Sequence, residues 1–235
     1  MDEKTSNRTL AESTEDEIVQ LILDQNMKVG EKLPNEFDLA RQLGVGRSTL
    51  REAIRHLAAR NVLEVRQGAG TFISNKRGVP EDPLGLTFVG RDPALALELM
   101  DIRLMLEPEV CAIVAQRVTP EQMEQLQNYA REISRLAESG QDYSEPDAQM
   151  HRYLAECSGN RVLRNLIPIF TSSVGVSIAA TNDEYRLATS KEHQAIADAI
   201  CRRDSTGARC AMIVHLNTTR NAVARQVAGQ VSRDR

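Results

Sequence analysis

The chain has 235 residues, a formal net charge of −4, 41% hydrophobic and 26% charged residues. This suits one or two globular domains, with enough apolar material for a core and too little net charge for wholesale disorder. No apolar run approaches the roughly 18 residues of a membrane span. The acidic, polar start at Met1–Asp16 has the form of neither a signal peptide nor a transit peptide, so a cytoplasmic location is expected.

Taken in order, residues 1–13 read as a disordered polar tail. A helix is predicted from Thr14 to about Met27, where Thr14 and Glu17 have capping-box spacing and Ile18, Leu21 and Ile22 share an apolar face. After the turn at Val29-Gly30, Asn35 can cap a second helix running to Leu43, which Gly44 ends. A third is expected over 47–59. Val62–Val65 and Thr71–Ile73 are short β-type runs joined through Gln67-Gly68-Ala69-Gly70, a hairpin. Residues 76–92 hold Gly78, Pro80, Pro83, Gly85 and Gly90 and read as a linker. From residue 93 to about 230 the pattern is helical, with helices near 94–117, 120–138, 145–157, 160–180, 184–203 and 205–229. The four cysteines (Cys111, Cys157, Cys201, Cys210) form no C-x-x-C pair and read as buried small hydrophobes. The absence of Trp and only 3% aromatics weigh against sheet-rich cores and base-stacking platforms.

Charge is divided unevenly: −5 over residues 1–27, +5 over 28–78 and −4 over 79–235. A compact basic segment in an acidic chain suits a local anionic partner. Within that segment, Ala40 is small where two helices must cross closely, and Gly44 sits in the turn, where glycine adopts a positive φ cheaply. Leu39, Leu43, Val45, Leu50 and Ile54 are spaced to fill the core between the helices. The third helix opens with Arg47, Ser48, Thr49 and Arg51. Arg can donate two hydrogen bonds to a guanine edge, and Ser, Thr and helix-start amides suit phosphate. Together with a glycine-rich hairpin, this is the pattern of a winged helix-turn-helix over 14–75.

Leu33-Pro34-Asn35-Glu36 through Val45-Gly46-Arg47-Ser48-Thr49-Leu50-Arg51-Glu52-Ala53, with Gly68-Ala69-Gly70-Thr71-Phe72, resembles the N-terminal domain of GntR-family bacterial transcription regulators. The resemblance implies that Arg47 and Arg51 contact bases or adjacent phosphates, that Ser48 and Thr49 contact phosphate, and that the wing near Gly68 enters the minor groove. Three positions depart from the pattern: Phe37 stands where the family usually has Arg, Gly46 where it has Ser or Thr, and Ala69 where a basic residue is frequent.

Of the four histidines, His56 falls on the third helix, as a packing or exposed residue, and His151, His193 and His215 fall in the helical half. Asp147 and His151 are four apart and share a helix face. His193 and His215 fall on two successive helices with a short connection, so an antiparallel pair can bring them level. One carboxylate and three imidazoles are a competent ligand set for zinc, nickel, manganese or iron. By residue type and spacing alone, scattered histidines are more often surface or core residues than ligands. Glu192 adjoins His193 but lies about 100° around the helix from it, and with no H-E-x-x-H pair a metal-dependent enzyme acting on a carboxylate is the weaker alternative. A purely structural metal site is another.

Asp147-Ala-Gln-Met-His151, with Ser158-Gly159-Asn160, Glu192-His193 through Ile200, and Met212-Ile-Val-His215-Leu216, resembles the ligand-binding FCD domain of the FadR subfamily. The resemblance implies a mainly α chain: a winged helix-turn-helix followed by an antiparallel helical bundle. It implies Asp147, His151, His193 and His215 as ligands of a divalent transition metal, zinc before nickel, manganese or iron, with open positions for a small carboxylate. Arg103 matches a residue placed to pair with that carboxylate, the alternative being a salt bridge with Glu107 four residues on. Asn160 reads as a helix cap. The implied function is a metabolite-responsive regulator, most often a repressor. It would act as a homodimer on a palindromic double-stranded DNA operator, nucleoid-associated when bound, with the 76–92 linker carrying the response and no membrane partner.

Overall fold

The computed structural model describes residues 8–76, 78–80, 82–86, 93–178 and 183–231, with no side-chain description at 93, 172–178, 183, 184, 226 and 229–231. The chain divides into two units, Met1–Phe88 and Val89–Arg235.

The first unit has three helices, α1 (Leu10–Asp24), α2 (Glu36–Leu43) and α3 (Arg47–Ala59), then β1 (Leu63–Arg66) and β2 (Gly70–Ile73). The first helix starts four residues before the expected Thr14, so residues 10–13 are not a disordered tail; residues 1–7 lie outside the described residues. Thr9 caps α1, accepting from the Glu12 amide while the Glu12 side chain accepts from the Thr9 amide. The expected Thr14–Glu17 box does not form, because Thr14 lies inside the helix with its hydroxyl donating to the Leu10 carbonyl at 2.7 Å. Two capping-box spacings stand five residues apart, and the earlier one wins because it adds a full turn.

Asn35 caps α2 by accepting from the Phe37 and Asp38 amides. Gly44 ends it at φ +66, in the left-handed region that costs a residue with a Cβ about 1 kcal/mol or more. Ile18, Leu21, Leu33, Leu39, Ala40, Leu50, Ala53, Ile54, Leu57 and Leu63 form one core, with Leu43 and Val45 partly buried against it. The hairpin is antiparallel, Leu63 opposite Ile73 and Arg66 opposite Gly70. Residues 30–33 run along its other edge: the Leu33 amide donates to the Thr71 carbonyl at 2.9 Å and the Ile73 amide to the Glu31 carbonyl at 2.9 Å.

The second unit is, among the described residues, a six-helix bundle: α4 (Pro93–Arg117), α5 (Pro120–Glu138), α6 (Ser144–Cys157), α7 (Arg161–Ile178), α8 (Asp183–Cys201) and α9 (Ser205–Val231). Thr119 caps α5 in a box with Gln122, and Pro120 fits the first helical position, where its missing N–H is no loss. Asn160 caps α7, accepting from the Val162 and Leu163 amides. Helix α9 packs on α4 and α8, α8 on α5, and α6 on α5 and α7. The core runs through Met100, Val114, Leu126, Ile133, Leu154, Ile196 and Leu216. Cys111 and Cys157 are buried in it, whereas Cys201 is half-buried and Cys210 exposed. Cys210 therefore departs from the expected buried role: it lies on the outer side of α9. Of the expected linker 76–92, residues 77, 81 and 87–92 lie outside the described residues.

Candidate metal centre and nucleic-acid interface

At the start of α3, Arg47, Ser48 and Arg51 are exposed and Thr49 half-buried. Gly46 is the N-cap residue and makes no side-chain cap bond. The first-turn amides of α3 therefore lack the side-chain acceptor that Ser or Thr would supply there, and can meet an external anion. Arg51 Nε donates to Glu36 Oε2 at 2.6 Å, with both side chains largely exposed. This ties the recognition helix to the start of α2 and orients the guanidinium. Phe37, on the next position of α2, is 62% exposed. Gly68, at the hairpin tip, has φ +73 and open space where a Cβ would stand. Gly70 is tighter, because a Cβ there would lie 2.6 Å from Lys32 Cε. Arg66 stacks over the Phe72 ring at 4.3 Å and bonds Glu64 through two nitrogens. His56 is exposed on the far part of α3, 2.7 Å from Glu15.

In the bundle, α6 carries Asp147 and His151, α8 carries His193 and α9 carries His215. All four side chains are buried, and one ligand atom from each lies within 4.8 Å of the others. The imidazole centroids are 4.3 Å (His193–His215), 5.3 Å (His151–His215) and 6.0 Å (His151–His193) apart. Asp147 places Oδ1 2.8 Å from His193 Nε2 and Oδ2 3.8 Å from His151 Nε2. Despite that proximity, His151 Nε2, His193 Nε2 and His215 Nδ1 have no hydrogen-bond partner of proper alignment among the described residues. Buried ring nitrogens left this way cost free energy unless something else satisfies them.

The opposite ring atoms explain the orientation. His151 Nδ1 bonds a Glu107 carboxylate oxygen. His193 Nδ1 donates to the Thr189 carbonyl at 2.8 Å, fixing the proton on that nitrogen and leaving Nε2 a lone pair. His215 differs: its unpaired nitrogen, Nδ1, is itself the atom that lies 3.5 Å from Glu192 Oε2, whose other oxygen accepts from Thr218. A carboxylate behind His151 and a carbonyl behind His193 are the usual support of a metal-ligating histidine. Burial raises the Asp147 carboxyl, but the surrounding imidazoles outweigh it and hold the group below the usual carboxylate range. Burial, then His193 and His151, hold His215 well below the usual imidazole range and keep it in the neutral form that binds metal. The donor set and its dangling lone pairs fit a divalent transition ion.

Arg103 is 2% exposed and donates from Nε to Glu107 Oε1 at 2.6 Å. The expected alternative, an i to i+4 salt bridge, is thus formed, yet Nη2 has no hydrogen-bond partner among the described residues. Spacing alone did not reveal the Glu107–His151 contact between α4 and α6, the Thr189 carbonyl, or the facing of Glu192 toward His215 from the next helix.

Residues 10–73 match the family described as bacterial regulatory proteins, gntR family, and residues 98–218 match the FCD domain. The chain belongs to the GntR family of transcription regulators. A protein described as Streptococcus agalactiae GntR superposes on this GntR-family chain with TM-score 0.79 at 38% identity, covering 90% of this chain and 99% of that one. The putative L-lactate dehydrogenase operon regulatory protein of Escherichia coli is 32% identical, covering 93% of this chain and 88% of its own length. The HTH-type transcriptional repressor NanR of Cronobacter sakazakii is 29% identical over 91% of this chain and 85% of its own. This GntR-family chain is accordingly a DNA-binding transcription regulator and not an enzyme, which removes the metalloenzyme alternative. No described helix of this regulator is long and apolar enough to cross a membrane.

Proposed function

We propose that this regulator is a metabolite-responsive repressor whose helical unit holds a divalent transition metal, zinc foremost, through Asp147, His151, His193 and His215. The convergence of four buried donors, with ring nitrogens left unpaired, carries this reading. The ion, when bound, supplies Lewis-acid coordination to a carboxylate or hydroxyl oxygen. Arg103 offers the opposite contact: its unpaired Nη2 can donate to a second carboxylate oxygen, in a site where burial strengthens the charge-assisted bond. The effector is a small hydroxy acid or related carboxylate, a reading supported by the relative named for an L-lactate dehydrogenase operon.

On DNA, Arg47 and Arg51 read base edges or adjacent phosphates, Ser48, Thr49 and the uncapped amides of α3 hold phosphate, and the Gly68 wing lies in the minor groove. A cytoplasmic homodimer presents two such units to a palindromic operator. Effector binding shifts operator affinity only by its differential affinity for the two states of the protein. The test uses an operator selected from randomised duplexes and zinc-loaded protein, with L-lactate as the probe. The expected result is a change of at least about fivefold in operator Kd, reduced in Arg103→Lys, which keeps the charge and loses the planar fork. Unchanged affinity with L-lactate and a panel of sugar and dicarboxylic acids would reduce the ion to a structural staple.

A further inference from the structure

Glu107 serves two masters in the buried centre. One oxygen accepts from Arg103 Nε at 2.6 Å and the other meets His151 Nδ1. Glu107 is 2% exposed, so both partners meet it away from bulk solvent. Its two bonds thus join the proposed effector-binding arginine to a proposed metal ligand.

We propose that Glu107 is the positioning residue that joins the two halves of the site: it keeps the His151 proton on Nδ1, and it holds Arg103 with Nη2 turned free for a carboxylate. This rests on the metal-and-carboxylate reading above and adds to it a physical link between the two ligands. A carboxylate only accepts hydrogen bonds. Facing it, neutral His151 must carry its proton on Nδ1, and Nε2 is left with the lone pair that points toward Asp147. The same acceptor takes the Nε–H of Arg103, so the guanidinium is anchored by its inner nitrogen while Nη2 stays unpaired. Arg103 Nε faces one carboxylate oxygen and His151 Nδ1 the other, so both oxygens are met by nitrogens that can donate. An oxygen of a bound acid on Arg103 and another on the ion would close a ring through Glu107 and His151. Linkage then requires each ligand to raise the other's affinity.

The chemistry of the amide isostere makes this sharp. In Glu107→Gln one oxygen is replaced by an NH2 donor. The guanidinium captures the remaining oxygen, because that bond is charge-assisted. The NH2 group then faces His151, whose Nδ1 must accept, and the ring proton moves to Nε2, where it blocks coordination. Removing the competing guanidinium in the double variant Arg103→Met/Glu107→Gln returns the oxygen to His151 and restores the ligating tautomer.

The experiment measures zinc affinity by competition with a chromophoric chelator, and the His151 tautomer by nitrogen-15 NMR of the metal-free protein. Folding is checked by circular dichroism. E107Q should lose zinc affinity by about 10–100-fold, with the His151 proton on Nε2, and the double variant should recover to within a few-fold of wild type. Folded E107Q with wild-type affinity and the proton still on Nδ1 would overturn the proposal. So would a double variant no better than the single one, which is the additive loss of a merely structural contact. If E107Q does not fold, the double variant alone decides, near-wild-type affinity supporting the proposal and a tenfold loss overturning it. Wild type that takes up no zinc is a separate outcome: it defeats the metal reading itself.

Discussion

Asp147 and His151 need only one helix to share a face, whereas His193 and His215 come from two others and depend on the bundle for their place. That difference set what could be read in advance. The four candidate donors were legible as residue types at helical spacings, and the structure brings their ligand atoms together within 4.8 Å. Their supports were not legible: Glu107 lies 44 residues from His151 and Glu192 acts on the neighbouring helix, so neither contact has a local periodicity. Arg103 shows the same limit, since spacing predicted its pair with Glu107 but not which nitrogen would remain free. Asp147→Asn keeps the side-chain shape and removes the anionic donor. Zinc affinity should fall by at least tenfold while the helical circular dichroism is kept, and equal affinity would remove Asp147 from the ligand set. On the DNA side, Arg51 is held by Glu36 in the free protein. Arg51→Ala should weaken operator binding by about 1–3 kcal/mol if it reads a guanine edge, measured at fixed salt by fluorescence anisotropy, with relaxed selectivity at one base pair.

Helix starts and stops obey local chemistry, and most were visible. Asn35, Gly44 and Asn160 act where their side chains or backbone freedom require, and the structure adds the Thr119 cap. Helix α1 was misplaced, because two Thr-x-x-Glu spacings competed and the earlier one closed the box at Thr9. Nothing in local pattern ranks two adequate caps; the extra turn and the burial of Ala11 and Thr14 do. Element stability should follow the same physics. Thr119→Ala removes the acceptor for the Gln122 amide and should cost about 1 kcal/mol by chemical denaturation. Leu50 is fully buried at the start of α3, among the residues that pack the helix-turn-helix. Leu50→Ala should destabilise the N-terminal unit by about 2–5 kcal/mol. Operator binding would then be lost as the unit melts and regained on cooling, unlike the loss in Arg51→Ala, which temperature would not reverse.

The chain joins a basic segment to an acidic bundle: residues 28–78 carry +5 and 79–235 carry −4. That segment suits a protein that meets DNA with the helix-turn-helix and wing and a small ligand with the bundle. A ligand that binds only the folded bundle stabilises it by mass action, about 2.7 kcal/mol at a free concentration one hundred times Kd. Zinc removal by a chelator should therefore lower the thermal transition of Val89–Arg235 and leave that of Met1–Phe88 in place, as read by calorimetry. A single shared shift would mean the two units melt together. The central claim is that the buried aspartate and three histidines hold a metal, and its most direct test is metal content per chain by elemental mass spectrometry, on wild type and His193→Ala. About one transition metal per wild-type chain, largely lost in the variant, is the predicted result. Wild type without metal after reconstitution with zinc, nickel and manganese would contradict it.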